Sequence, residues 1–226
     1  MARTVVWALV AVVGGPTLVA GCGGDYGPQF NGSPVWQMFP FDGERTWDYI
    51  NTDTTLPHKL IGTSVLEPEV IGGVNVYTVQ YVKECVGADP ACVEGELVRK
   101  IRWSSTVSDG VFIHGYDIGA GIVDLVPPVQ VTEDTMERGD VLETESGGIV
   151  WSSTMNGIEQ CPIKMTADWP ECGSFTIAAD VGDGYPVAGD LWATKGNGIA
   201  AMQLATETGQ WQLSDVDCQG DCDGKW

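Results

Sequence analysis

Across residues 74–82 the chain reads Val-Asn-Val-Tyr-Thr-Val-Gln-Tyr-Val. Apolar and polar residues alternate there, and β-branched and aromatic types crowd together. A period of two puts successive side chains on opposite faces of an extended backbone, and it cannot form the stripe an amphipathic helix needs. Residues 96–104 repeat the pattern, with Leu97, Ile101 and Trp103 on one face and Val98, Lys100 and Arg102 on the other. Further strands are expected at 111–116, 148–155, 163–168, 174–180, 190–195, 198–206 and 210–216. Ser108-Asp109-Gly110, Gly196-Asn197-Gly198 and Glu207-Thr208-Gly209 supply turns between them. No stretch carries a helical stripe. The best is 133–137, after Pro127-Pro128, with room for one short turn. About ten short strands punctuated by turn residues predict an all-β, antiparallel β-sandwich or open (half) barrel, in one domain with little helix.

The start of the chain reads differently. Arg3 is followed by 18 uncharged residues, 4–21, and then by Leu18-Val19-Ala20-Gly21-Cys22 at its end. A positive start, an apolar run and small residues before a cut describe a secretory signal. Gly14-Gly15-Pro16 would break a membrane-spanning helix, which argues against a retained anchor. The last five residues resemble the lipobox of bacterial lipoproteins. That resemblance implies cleavage before Cys22 and lipidation of Cys22, and Gly23 rather than Asp after it resembles lipoproteins sent to an outer membrane. The expected organisation is a signal peptide over 1–21, a lipidated Cys and flexible tether over 22–34, and a β-rich domain over 35–226.

Charge narrows the partners. The full chain carries −20, and cleavage before Cys22 removes one cation (Arg3) and no acid, leaving −21. A surface so acidic repels nucleic acid and anionic lipid, so no nucleic-acid partner is expected. With Cys22 lipidated, six cysteines remain: Cys85, Cys92, Cys161, Cys172, Cys218 and Cys222. An even count outside the cytoplasm argues for disulfides, with 15 possible connectivities. Successive couples are close in sequence and separated by turn formers, which favours Cys85–Cys92, Cys161–Cys172 and Cys218–Cys222. Zinc fits poorly: no Cys-x-x-Cys occurs, and neither His58 nor His114 flanks the cysteines.

Two further segments carry a likeness. Met38-Phe39-Pro40-Phe41-Asp42-Gly43 followed by Trp47-Asp48-Tyr49 resembles the Phe-Pro-Leu…Gly…Trp-x-Tyr opening of many uncharacterised bacterial β-rich lipoproteins. Trp192-Ala193-Thr194-Lys195-Gly196-Asn197-Gly198-Ile199 is similar to their Trp-x-Ala-x-Gly-x-Gly-Val/Ile signature, with Val126-Pro127-Pro128 and Met136–Asp140 between. Three residues rather than two separate Gly43 from Trp47. The family implies an antiparallel β domain on a lipid anchor, and it brings no assigned activity.

Candidate chemistry is sparse. Asp215-Val216-Asp217-Cys218-Gln219-Gly220 matches the first six positions of an EF-hand loop, and Asp215, Asp217, Asp221 and Asp223 are candidate calcium ligands. The twelfth position is Trp226 rather than Glu, so a solvated acidic tail stapled by a disulfide is the favoured reading, with no metal site expected. His114 would need an orienting carboxylate and an adjacent nucleophile to act as a base. Asp117 falls on the opposite strand face, and no Gly-x-Ser-x-Gly, His-Glu-x-x-His or phosphate loop is present. Paired acids such as Glu67 with Glu69, or Glu143 with Glu145, are expected by chance in so acidic a chain. The domain keeps eight tryptophans, expected mainly in the core. An exposed row would instead stack on glycans, and a concave lining would hold an acyl chain. The expectation is therefore a non-enzymatic, lipid-anchored envelope protein without cofactor, in a binding or structural role toward a protein, glycan or lipophilic ligand. The alternative is a carrier or sensor of a lipophilic ligand in a half-barrel cavity.

Overall fold

A computed structural model describes residues 38–41, 45–65, 67–106, 109–133, 135–163, 171–182, 184–194 and 196–218. Thirteen strands account for most of them: β1 (Arg45–Asn51), β2 (His58–Ser64), β3 (Glu69–Ile71), β4 (Val74–Cys85), β5 (Leu97–Thr106), β6 (Gly110–Asp117) and β7 (Val123–Thr132), then β8 (Val141–Ser146), β9 (Ile149–Gln160), β10 (Glu171–Ala179), β11 (Gly189–Thr194), β12 (Gly198–Leu204) and β13 (Trp211–Cys218). No α-helix occurs among the described residues. Strand order is β7-β6-β5-β4-β2-β1-β13-β12-β11-β10-β9-β8, and β3 pairs only with β4. Every ladder is antiparallel.

The two outer strands of this sheet, β7 and β8, meet. The Gln130 amide donates to Thr144 Oγ1 at 3.2 Å, and Ser153 Oγ donates to the Val131 carbonyl at 2.6 Å. The sheet is thus a nearly closed, twelve-strand barrel, open only along one seam. Closing a sheet on itself hides the unpaired edge groups that would otherwise recruit other chains.

Alternation sets which residues share a face, and closure turns one of those faces inward. Trp47, Tyr49 and Asn51 of β1 are buried while Thr46, Asp48 and Ile50 are half-exposed. On β5, Arg99, Ile101 and Trp103 share the inner face, and bulges opposite Val82 and beside Trp103 adjust the register. The interior is filled by aromatics: Trp47, Trp103, Trp151, Tyr49, Tyr81, Phe39 and Phe175 are all at most 2% exposed. Each buries a large apolar area, so this filling is the main source of stability. Hairpins close where two glycines permit them. Gly147 and Gly148 both take positive φ (63° and 79°) between paired Ser146 and Ile149, the twist that matches two-residue hairpins.

One expectation fails. Residues 133 and 135–137 form no helical turn, and Pro127-Pro128 lie inside β7. Proline lacks the N–H a ladder needs, but β7 is an edge with a long irregularity opposite β6, where that loss is tolerated. Met136 is fully buried and packs into the core instead. Ile163 lies past the end of β9, and the rest of the strand expected over 163–168 falls outside the described residues.

Alternating strand direction sorts the connections between two ends. The β5/β6, β7/β8 and β11/β12 turns lie at the end where residues 38–41 enter and β13 finishes. The β1/β2, β4/β5, β6/β7, β8/β9, β10/β11 and β12/β13 turns lie at the far end.

Candidate functional site

The entry end is plugged by the chain itself. Phe41 stacks on Trp103 with ring centroids 5.1 Å apart, and Phe39 lies 6.0 Å from Trp103 and 6.2 Å from Phe175. Ser64 Oγ donates to the Phe41 carbonyl at 2.9 Å, which fixes the plug against β2. Trp47 Nε1 donates to the Asn197 carbonyl and Tyr49 Oη donates to the Ile199 carbonyl at 2.8 Å. Gly198 sits so close that an added Cβ would lie 3.5 Å from Trp47 Nε1 and 3.7 Å from Pro40. The two distant segments, Phe39–Tyr49 and Trp192–Ile199, therefore meet as one structural joint. Beside this joint a cleft of about 340 Å³ opens between Phe39, Phe41, Tyr77 and the polar side chains of Asn75, Ser105 and Thr106.

The far end is closed by an ion pair. Arg99, 1% exposed, lies on the inner face, its guanidinium 4.9 Å from the Tyr81 ring centroid and paired with Glu207 of the β12/β13 loop. Trp211 Nε1 donates to the other Glu207 oxygen at 2.5 Å, and one Arg99 nitrogen reaches Met202 Sδ at 3.1 Å. Burial pushes the Tyr81 phenol up to about 12, so it stays neutral beside the cation.

A third cluster lies on the outer face of β5 and β6. His114 faces no direct partner in either ladder, because the β5/β6 register passes from Gly115 to Ile113. Its Nε2 is 2.8 Å from Ser104 Oγ. Arg102, beside them, donates to Asp124 at 2.5 Å and to Glu69, joining β3, β5 and β7. Burial, and then the Arg102 charge, hold the His114 imidazole below its ordinary pKa. The nearby charge is thus a cation rather than the carboxylate a general base requires, and Ser104 is only 1% exposed. Asp117 turns away and accepts the Gly119 and Gly121 amides at 2.8 and 3.0 Å.

Two of the three expected disulfides are present: Cys85–Cys92 and Cys161–Cys172. Cys22, Cys222, Asp221 and Asp223 lie outside the described residues, so Cys22 lipidation, the Cys218–Cys222 pair and the tail sequence fall beyond the barrel's description. Asp215 and Asp217 lie on β13, opposite Asp48 and Thr46. Partial burial, then Glu84 and Asp215, raise the Asp48 carboxyl above its usual range. Among the described residues no three His, Cys, Asp or Glu side chains converge as a metal site. Of the described tryptophans Trp47, Trp103, Trp151 and Trp211 are buried and Trp192 is half-exposed, so these form no exposed stacking row. Arg99 and Ser104 were not singled out in the sequence. Arg99's only signal was its odd-numbered register with Ile101 and Trp103, on the face that turns inward.

Comparison with protein-family models, with curated proteins and with solved structures finds no match.

Proposed function

We propose that this chain is an exported protein held at an envelope membrane, of the outer-membrane type, through lipidated Cys22, and that its β domain binds a partner or serves structurally without catalysis. The observation that carries this reading is the plugged barrel. Aromatic side chains occupy the interior, Phe39 and Phe41 close one end, and Arg99 with Glu207 closes the other. Such a barrel is a rigid platform rather than a container. Two short-loop disulfides support an oxidising, exported location. The Ser104–His114 pair supports a packing role, since a solvent-excluded hydroxyl beside a neutral imidazole and a cation has no route to substrate.

The carrier alternative draws on one observation, the entry-end cleft, whose size reaches the lower range of small-molecule sites. Its lining includes the polar side chains of Asn75, Ser105 and Thr106, which suits an acyl chain poorly. Native mass spectrometry of the oxidised domain separates the two readings. A bare mass is expected. A retained lipophilic mass released only on denaturation, and lost on Tyr77→Ala, would replace the platform with a carrier. Membrane attachment is checked separately by the acyl mass on the Cys22 peptide, which Cys22→Ala abolishes.

A further inference from the structure

We propose that the far end of the barrel is a docking face for a second protein whose surface is basic and aliphatic. This deepens the binding role proposed above and rests on it. Six large aliphatic side chains at that end, Val86, Val93, Ile118, Ile122, Val150 and Val181, are each 38–61% exposed. They fall in four of the six loops at that end. Val86 and Val93 stand in the β4/β5 loop, Ile118 and Ile122 in β6/β7, Val150 beside the β8/β9 turn and Val181 in β10/β11. Because β5 pairs with β6, β7 lies along β8, and β9 pairs with β10, these four loops are consecutive neighbours. The two remaining far-end loops, 52–57 and 205–210, are polar apart from Leu56, which packs on the core, and Ala205 and Pro57. Exposed aliphatics along four consecutive loops of one end do nothing for folding, and exposed apolar surface concentrated in this way marks interaction sites.

Charge selects the partner. Residues 86–96, 118–122, 147–150 and 180–188 contain no Lys or Arg, and they carry Asp89, Glu94, Glu96, Asp180 and Asp183. Lys83 pairs with Glu96 at 2.7 Å, which leaves Asp89, Glu94 and Asp180 as the acidic surround of the aliphatic tips, and that combination fits a surface that offers Lys or Arg around an apolar centre. An anionic bilayer would be repelled.

The four loops are also held in place before any partner arrives. Cys85–Cys92 staples the β4/β5 loop, and Glu94 accepts the Cys85 amide at 2.8 Å. The Asp180 carboxylate accepts the Val150 amide at 3.1 Å while the Asp180 amide donates to the Val150 carbonyl at 2.9 Å, tying β8/β9 to β10/β11. Preordered loops lose less entropy on binding. Residues 38–41, which follow the tether, enter at the opposite end, so the four loops point away from the tethered side.

The test uses the full chain in the producing cell, with a photo-crosslinking amino acid at Ile122 or Val181, or at Thr54 in the polar far-end loop as control. Adducts to one protein from Ile122 and Val181 but not from Thr54 are expected. That protein, purified, should bind the wild-type chain in a salt-sensitive manner, and Val93→Ser/Ile122→Ser and Asp89→Asn/Glu94→Gln should each weaken binding by about tenfold. An unchanged melting temperature in both variants shows that the fold is intact. Adducts to phospholipid, to a second copy of this chain, or equally from Thr54 would each overturn the proposal, as would binding that neither variant changes. The Cys22 peptide mass from the same cells reports on the anchor independently, so failure of the docking face and failure of the anchored reading are distinguishable.

Discussion

Arg99 is the residue that most tests the account of the interior. Its guanidinium is sealed inside the barrel with Glu207 as its carboxylate, while Glu207 keeps partial solvent contact at 22% exposure. Removing one partner of such a pair strands a buried charge, whereas replacing both with apolar residues restores neutrality. Glu207→Ala should therefore destabilise by about 3 kcal/mol, and Arg99→Met/Glu207→Leu should recover most of that loss in a denaturant titration. If the double variant is as unstable as the single one, the pair is not what closes the far end. Arg99 also carries an Nε without a partner, a second reason that an apolar replacement is tolerated.

At the scale of the element, hairpin β5/β6 depends on a position only glycine can fill. Gly110 has φ +93°, and a Cβ there would lie 1.9 Å from the Thr132 carbonyl oxygen of β7. Gly110→Ala combines left-handed strain with a backbone clash and should cost about 3 kcal/mol, read as a lower chemical-denaturation midpoint. The two disulfides close loops of similar length, with sequence separations of 7 and 11, so chain entropy alone assigns each about 2.5 kcal/mol. Packing separates them. Cys161 and Cys172 are buried against Ala200, whereas Cys85 and Cys92 are half-exposed. Cys161→Ala/Cys172→Ala should thus lower the melting temperature more than Cys85→Ala/Cys92→Ala, and equal losses would show that loop closure is the whole effect. Turn chemistry made several hairpins readable in the sequence. Strands β1, β2, β3, β7 and β8 were not, because β1 and β2 mix charged and polar residues with few core positions, β3 has only three residues, and β7 and β8 border a seam that carries no ladder.

For the molecule as a whole, acid should loosen the barrel. Burial, followed by Lys83 for His58 and Arg102 for His114, holds both imidazoles below the ordinary 6.5. The unfolded chain then takes up these protons first, so stability declines as pH falls through about 6.5 toward the folded values. Asp48 acts in the opposite sense. Its carboxyl is raised, so its penalty is present at neutral pH and disappears as pH falls toward 3.8. Between pH 7.5 and 5.5 the histidines dominate, and the melting temperature should fall. His58→Gln/His114→Gln should flatten that slope, and an unchanged slope would assign the acid sensitivity to other groups.

The sequence by itself determined the all-β class, the antiparallel character and two of the disulfides, because these follow from local quantities: alternation, β-branched content and short Cys–Cys spacing. It also marked Phe39–Tyr49 and Trp192–Ile199 as distinctive segments. Only the tertiary structure decided that these segments touch, that β1 pairs with β13, that β7 and β8 meet to close the sheet, and that Arg99 faces inward against Glu207. The joint between these segments, the β1/β13 ladder and the Arg99–Glu207 pair join residues separated by more than a hundred positions, and no local pattern encodes which of two sheet faces becomes the inside. Barrel closure made that choice. It placed Arg99, Trp47 and Trp103 in the interior and left Ser104, His114 and the aliphatic far-end loops on the outside.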